Sequence, residues 1–137
     1  MNDHSIQLVR ETFDLLEPIA PQAAALFYAN VFAADPSLTP LFKGDMASQG
    51  DRLMNTLAMA VGRLDEPEVL VPVLRGLGQQ HAGLGVRDEH YATFGVALLS
   101  TLRHDLGAAF TPEVEEAWAQ VYGAAAGTMQ EAARAHV

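Results

Sequence analysis

Leu77-Gly78-Gln79-Gln80-His81-Ala82-Gly83-Leu84-Gly85-Val86 is the stretch on which the fold of this chain is decided. Followed upstream, Leu70, Leu74, Leu77 and His81 recur every three or four residues. That spacing places three leucines and a histidine on one helical face. Pro67 suits the first turn of this helix, and Gly83 its end. A neutral imidazole one turn beyond an apolar stripe is a good metal ligand through a single nitrogen. The same position suits a helix-end histidine in water, since Gln79-Gln80 makes part of this turn polar.

Outward from that helix, strand signals are nearly absent, with no long period-2 alternation and no hairpin dipeptide between β-branched runs. Ile6, Val9, Phe13 and Leu16 form a helical stripe over 5–16, which Pro18 stops. A second helix begins near Pro21, carries Leu26, Phe27, Tyr28, Val31 and Phe32, and ends near Asp35-Pro36. Pro36 and Pro40 confine 37–41 to a short turn. Phe42-Lys43-Gly44-Asp45 reads as a loop, with Ser48 the expected N-cap of a helix over 47–63. Asp88 is expected to cap a helix over 89–106 that closes at Gly107. Thr111-Pro112-Glu113 supplies a cap, a first-turn proline and an acid for a last helix reaching Ala133. The expectation is an all-α fold of six or seven helices, in a single domain over 1–137.

Composition narrows the function. The 137 residues are half hydrophobic, enough for a domain-sized core. Eight basic and 17 acidic side chains give a net charge of −9, with no Lys/Arg cluster. Nucleic acid and anionic membrane surfaces are therefore disfavoured partners. The absence of cysteine excludes disulfides, thiolate metal sites and thioether attachment of a prosthetic group. Met1-Asn2-Asp3-His4 lacks the basic and apolar regions of a secretory signal. No apolar run approaches the ~20 residues that span a bilayer. A cytoplasmic location is the expectation.

Two more residues interrupt apolar faces. Gln49 continues the stripe Leu53, Leu57, Val61, and Tyr28 stands beside Phe27. By pattern alone, Gln49 reads as an amide meeting water and Tyr28 as an ordinary core tyrosine. Of the other histidines, His4 and His136 are terminal, His104 lies near a helix C-terminus, and His90 opens a helix and is expected to be exposed. No HExxH, Walker A or nucleophile-elbow motif occurs.

Taken together, three ordered segments resemble the globin family, and more narrowly the bacterial single-domain haemoglobins related to the haem domain of flavohaemoglobins. They are Phe27-Tyr28-Ala29-Asn30-Val31-Phe32 continuing to Pro40-Leu41-Phe42; Leu77 to Val86 with His90-Tyr91 after it; and Ala117-Trp118-Ala119-Gln120-Val121-Tyr122-Gly123. They span nearly the whole chain in family order. The resemblance implies a globin fold around a haem pocket, with haem b (iron protoporphyrin IX) as cofactor and His81 as the proximal iron ligand. It implies that Phe42 packs on the porphyrin face and that Tyr28 is the distal tyrosine. Gln49 faces bound ligand, with Leu53 as the apolar wall beside it. A second register, with Leu53 and Leu57 in those roles, stays open because the preceding loop varies in length in the family. The first register lets Tyr28 and Gln49 form a polar pair. Tyr91 approaches the proximal side, Leu77, Val86, Phe94 and Leu98 line the haem wall, and Arg52 pairs with a propionate.

One departure changes the expected chemistry. The family's glutamate on the last helix, part of a network with the proximal histidine and tyrosine, is matched here by Ala133. Glu131 lies two residues away, roughly 200° around a helix. The imidazole then has less anionic character, which weakens electron donation to iron. The resemblance implies reversible binding of oxygen, with nitric oxide and carbon monoxide as other gas ligands. The alternative is nitric oxide dioxygenation to nitrate, which needs a separate reductase. A sensor role would need an output module for which 137 residues leave no room.

Overall fold

Asn2 accepts the Ser5 N–H at 2.8 Å and so caps the first helix, α1 (Asp3–Leu16). The computed structural model describes residues 2–42 and 44–135. Met1, Lys43 of the predicted loop and the terminal His136 lie outside the described residues. Ile6, Val9, Phe13 and Leu16 are all buried, as the stripe predicts. Pro18 does not leave an open break; it sits in a 3₁₀ turn, Glu17–Ile19, that leads into α2 (Ala20–Ala34). Asp35 then accepts the backbone N–H and the hydroxyl of Ser37, starting a 3₁₀ stretch, Pro36–Leu41.

The third helix, α3 (Met46–Gly62), is capped by Asp45 and not by Ser48. Asp45 accepts the Ala47 N–H at 3.2 Å, and the Ser48 hydroxyl donates to its other oxygen at 3.1 Å. A carboxylate three residues upstream, just outside the helix, satisfies the orphan donors better than a hydroxyl already inside the first turn. Pro67 starts α4 (Pro67–Gly83) as expected. Asp88 is the first residue of α5 (Asp88–Leu106) and not its cap, because Arg87 still has extended backbone. Gly107 closes α5, and Thr111 accepts the Val114 N–H at the start of α6 (Pro112–Ala135). The described residues thus form six α-helices, with α6 two residues longer than predicted.

Two apolar clusters hold the helices together. The larger gathers residues of all six helices around Trp118 and Leu102, with Ala23 from α2 and Val61 from α3. The Trp118 indole donates to the Thr12 hydroxyl at 2.8 Å, which itself donates to the Leu8 carbonyl at 2.7 Å. Each large side chain so buried contributes about 1.5–3 kcal/mol. The smaller cluster gathers Val31, Leu38, Val86, Tyr91, Phe94, Ala97 and Ala126. Close approaches fix the register: a Cβ on Gly78 of α4 would lie 2.2 Å from the Met129 carbonyl oxygen of α6. Among the described residues, no helix is long and apolar enough to cross a membrane.

Candidate ligand pocket

His81 lies in the last turn of α4, half-buried, with Nδ1 2.6 Å from the Leu77 carbonyl oxygen. A carbonyl can only accept, so Nδ1 carries the proton. Nε2 is left with its lone pair, the form in which imidazole binds a metal. The chain then folds back around this residue, with the N–H groups of Leu84 and Val86 both donating to the His81 carbonyl. Gly85 makes that turn with φ +101, and a Cβ there would lie 3.2 Å from Leu41. The turn leads to Val86, which is buried in the smaller cluster.

Among the described residues, no group of three or more His, Asp or Glu side chains stands together to hold a metal ion. One imidazole is a weak host for a bare ion. It suits a metal whose remaining ligands come from a bound macrocycle.

A chain of rings links α2 through Phe42 to α5. Phe42 meets Tyr28 of α2 at 5.4 Å between centroids, Phe32 at 5.8 Å and Phe94 of α5 at 6.1 Å. Phe94 in turn meets Tyr91 at 6.0 Å. The edge-to-face geometry of most of these contacts is the favoured one for aromatic pairs. Tyr28 is buried, and its hydroxyl donates to the Gln49 carbonyl in a long bond of 3.5 Å. The two residues that the sequence paired do meet, but through the Gln49 main chain. Burial pushes the Tyr28 phenol above its ordinary value, and the Arg52 guanidinium partly offsets this. The phenol stays a proton donor at neutral pH.

Gln49 and Leu53 are half-buried, and Arg52 is exposed. Leu57 and Leu77 are half-buried and pack against the larger core, to which the buried Leu98 belongs. Phe94 and Tyr91 belong to the smaller cluster, against which Phe42 packs.

Tyr91 carries the oddest polar group of the pocket. It is 5% exposed, and its hydroxyl has no hydrogen-bond partner among the described residues. Such a group costs about 1–3 kcal/mol. Burial, and then the Asp88 carboxylate, push this phenol upward too. Neither nearby candidate on α6 supplies a carboxylate: Ala133 is half-buried and Glu131 is exposed.

His90 corrects the sequence reading. It is 5% exposed, not exposed, and its Nδ1 accepts the Arg87 N–H at 2.9 Å. At the third position of α5 it caps its own helix, in the place a Glu or Gln takes in a capping box. His104 and His4 are exposed, beside Asp105 and Glu113 respectively. Tyr122 was missed: its hydroxyl donates to the Tyr91 carbonyl at 2.6 Å. The signal was its place one turn after Trp118 on the same face of α6.

Comparison with known proteins adds a family. The Globin family profile matches residues 25–129. A flavohemoprotein of Bordetella parapertussis is 37% identical over 120 residues, covering 85% of this chain and 30% of that protein. One from Chromobacterium violaceum is 32% identical over 133 residues, covering 94% of this chain and 33% of that protein. The chain thus spans about a third of the length of these relatives. A bacterial globin from Campylobacter jejuni superposes with a TM-score of 0.85 at 22% identity, covering 98% of this chain and 97% of that one. An engineered carbene transferase from Rhodothermus marinus, whose natural activity is described provisionally as nitric oxide dioxygenation, gives 0.88 at 23%, covering 98% and 94%.

Proposed function

The chain belongs to the globin family, whose members hold haem and bind diatomic gases, and on that premise we propose that it holds haem b through His81 and binds oxygen reversibly. The observation that carries the proposal is the bond from His81 Nδ1 to the Leu77 carbonyl. It fixes the tautomer and the ring plane, and leaves Nε2 as the free donor. The orphaned Tyr91 hydroxyl supports it, since this buried donor meets no acceptor among the described residues.

When bound, haem would supply an iron able to take a diatomic gas. The chain's own residues do the rest. Phe42, Phe94, Val86 and Leu98 give the ring an apolar wall, with Leu77 beneath His81. Tyr28 keeps its proton and, once turned from the Gln49 carbonyl, would offer it as a hydrogen-bond donor, with Gln49 offering its amide. Leu53 keeps water from the distal side. In this reading Leu57, packed against the larger core, is less free to face the ligand than Leu53, which favours Gln49 and Leu53 as the distal pair. Arg52, at the exposed rim, is placed for a propionate.

Absorption spectra of the haem-loaded protein test this: ferric, reduced, and with carbon monoxide. A Soret band with the shift typical of histidine-ligated haem is expected, and His81→Ala should lose it. Haem uptake undiminished in His81→Ala would refute the ligand assignment.

Similarity to flavohemoproteins favours a second reading, nitric oxide dioxygenation, with electrons delivered by a reductase. Sustained nitric oxide consumption with a reductase present would support it. Consumption that stops after one equivalent returns the assignment to reversible binding.

A further inference from the structure

Val96 is 64% exposed, more than any other large apolar side chain among the described residues. It stands near the middle of α5, whose buried side carries Phe94, Ala97, Leu98 and Leu102 into the two cores. On one flank the Asn30 amide of α2 donates to the Thr101 hydroxyl at 3.1 Å. On the other, the Tyr122 ring of α6 lies against Gly95. The stripe left to solvent is Glu89, Ala92, Val96 and Arg103, all exposed, with Ser100 half-buried. Steps of three and four residues put all five on one face. A β-branched apolar residue at the centre of that wet face adds neither helix propensity nor burial.

The stripe is symmetric about Val96. Ala92 and Ser100 stand four residues to either side, and Glu89 and Arg103 seven. A second copy turned about a two-fold axis through Val96 runs antiparallel to the first. It sets Val96 against Val96, Ala92 against Ser100, and Glu89 against Arg103 at both ends. The residues beside the axis are small, so the two helices approach closely. On α6, Ala119 and Gly123 flank Tyr122 and are exposed and small as well. Charge favours the same partner. A chain of net charge −9 repels its own copy over most of its surface. Around this stripe the signs balance: Arg87 pairs with Glu89 at 3.2 Å, Arg103 with Glu115 at 2.7 Å and Arg134 with Asp88 at 2.7 Å. Each of these six side chains is at least 40% exposed. Such pairs are weak in water, and their members are free to take a partner across the axis.

We propose that the chain forms a symmetric homodimer through this face, with α5 antiparallel to α5 of a second copy and Val96 on the two-fold axis. From Glu89 to Arg103 the contact is about 21 Å long, at 1.5 Å per residue. One helix pair with narrow shoulders lies at the low end of interface size, so the dimer is a reversible one, half formed on the order of 100 µM. The valine pair supplies the dry centre of the contact. The two acid–base pairs at its ends set the register and the antiparallel direction. None of the residues assigned to the pocket takes part, so the dimer stands or falls apart from the proposed function.

Sedimentation equilibrium of the full chain, from about 10 µM to about 1 mM, tests this. The mass should climb with concentration from 14.7 kDa toward twice that value. Val96→Asp puts two carboxylates on the axis and should weaken association about tenfold or more, with an unchanged helical melt by circular dichroism. Arg103→Glu should weaken it too. Glu89→Arg combined with Arg103→Glu should restore it, because the exchange rebuilds both end pairs at the original net charge. The chain has no cysteine, so a single introduced one is a clean probe. Only on a two-fold axis does a residue meet its own copy: Val96→Cys should cross-link rapidly under mild oxidation, and Leu15→Cys, 55% exposed on α1, should lag far behind. A mass of 14.7 kDa at every concentration would overturn the proposal. So would a dimer that survives Val96→Asp, a double exchange that fails to restore association, or cross-linking through Leu15→Cys as fast as through Val96→Cys.

Discussion

The hydroxyl of Tyr122 donates to the main-chain carbonyl of Tyr91 at 2.6 Å, while the buried hydroxyl of Tyr91 meets no partner among the described residues. The first bond ties α6 to the start of α5. A Cβ on Gly95 would lie 2.7 Å from the Tyr122 ring, so the ring is also pinned sideways. Tyr122→Phe keeps the packing and removes only the bond. It should lower unfolding free energy by about 0.5–1.5 kcal/mol, read from the urea midpoint at unchanged m.

The three tyrosines of the chain share a property that optical titration can read. Burial raises the phenols of Tyr28, Tyr91 and Tyr122 above the ordinary value of 10.0. The folded chain therefore holds these protons more tightly than the unfolded one. Stability is intact below pH 10 and falls as pH climbs from there through the raised values. Absorbance at the tyrosinate band should show no phenol ionising at the ordinary value in the folded protein. All three should ionise together as the chain unfolds. A phenol that titrates near 10 before any loss of helical signal would contradict the burial of that residue.

Tyr28→Phe removes the donor but keeps the ring. With haem bound, oxygen release should quicken about tenfold, the rate equivalent of about 1.4 kcal/mol. Gln49→Leu should act in the same direction, and Leu53→Gln should not mimic it. Stopped-flow displacement of oxygen by carbon monoxide measures all three.

Two histidines near the pocket should separate cleanly. His90→Ala removes a cap and should cost about 1 kcal/mol of stability while haem stoichiometry holds. His81→Ala should do the reverse, losing haem while the haem-free chain melts nearly unchanged. Identical effects from the two substitutions would remove the distinction between cap and ligand.

Glycines on one helix should also diverge. Gly78→Ala drives a methyl into the Met129 backbone, which has no flexible end to yield, and should cost about 1–3 kcal/mol or more. Gly76→Ala meets nothing within 4 Å and should gain about 0.5–1 kcal/mol from helix propensity. Thermal melts of the haem-free proteins compare the pair.

Helices were legible where prolines and apolar stripes agreed. Pro67, the pair Pro36 and Pro40, and Thr111-Pro112 each mark a real boundary, because a missing N–H and a fixed φ act locally. His81 was legible only as a candidate, since spacing shows which face a side chain shares and not what its second nitrogen does. Caps were misjudged where two polar residues competed, Asp45 against Ser48 and Arg87 against Asp88, because the winner depends on where the loop backbone turns. His90 was misjudged for a related reason: a polar residue in a first turn can fold back on its own helix and be buried by a neighbouring one.

Gly78 has one more consequence. It lets the helix that carries His81 rest backbone on backbone against α6 at Met129. One residue further along α6, Gln130 donates to the Asp88 carbonyl at 3.1 Å, and Arg134 reaches the Asp88 carboxylate at 2.7 Å. Asp88 opens α5, three residues before Tyr91. These contacts close a mechanical loop from α4 through α6 to α5, with no flexible side chain at its tightest joint to act as a cushion. The helix that carries His81 and the helix that carries Tyr91 are therefore both held to α6, the first by its backbone and the second by the side chains of Gln130 and Arg134.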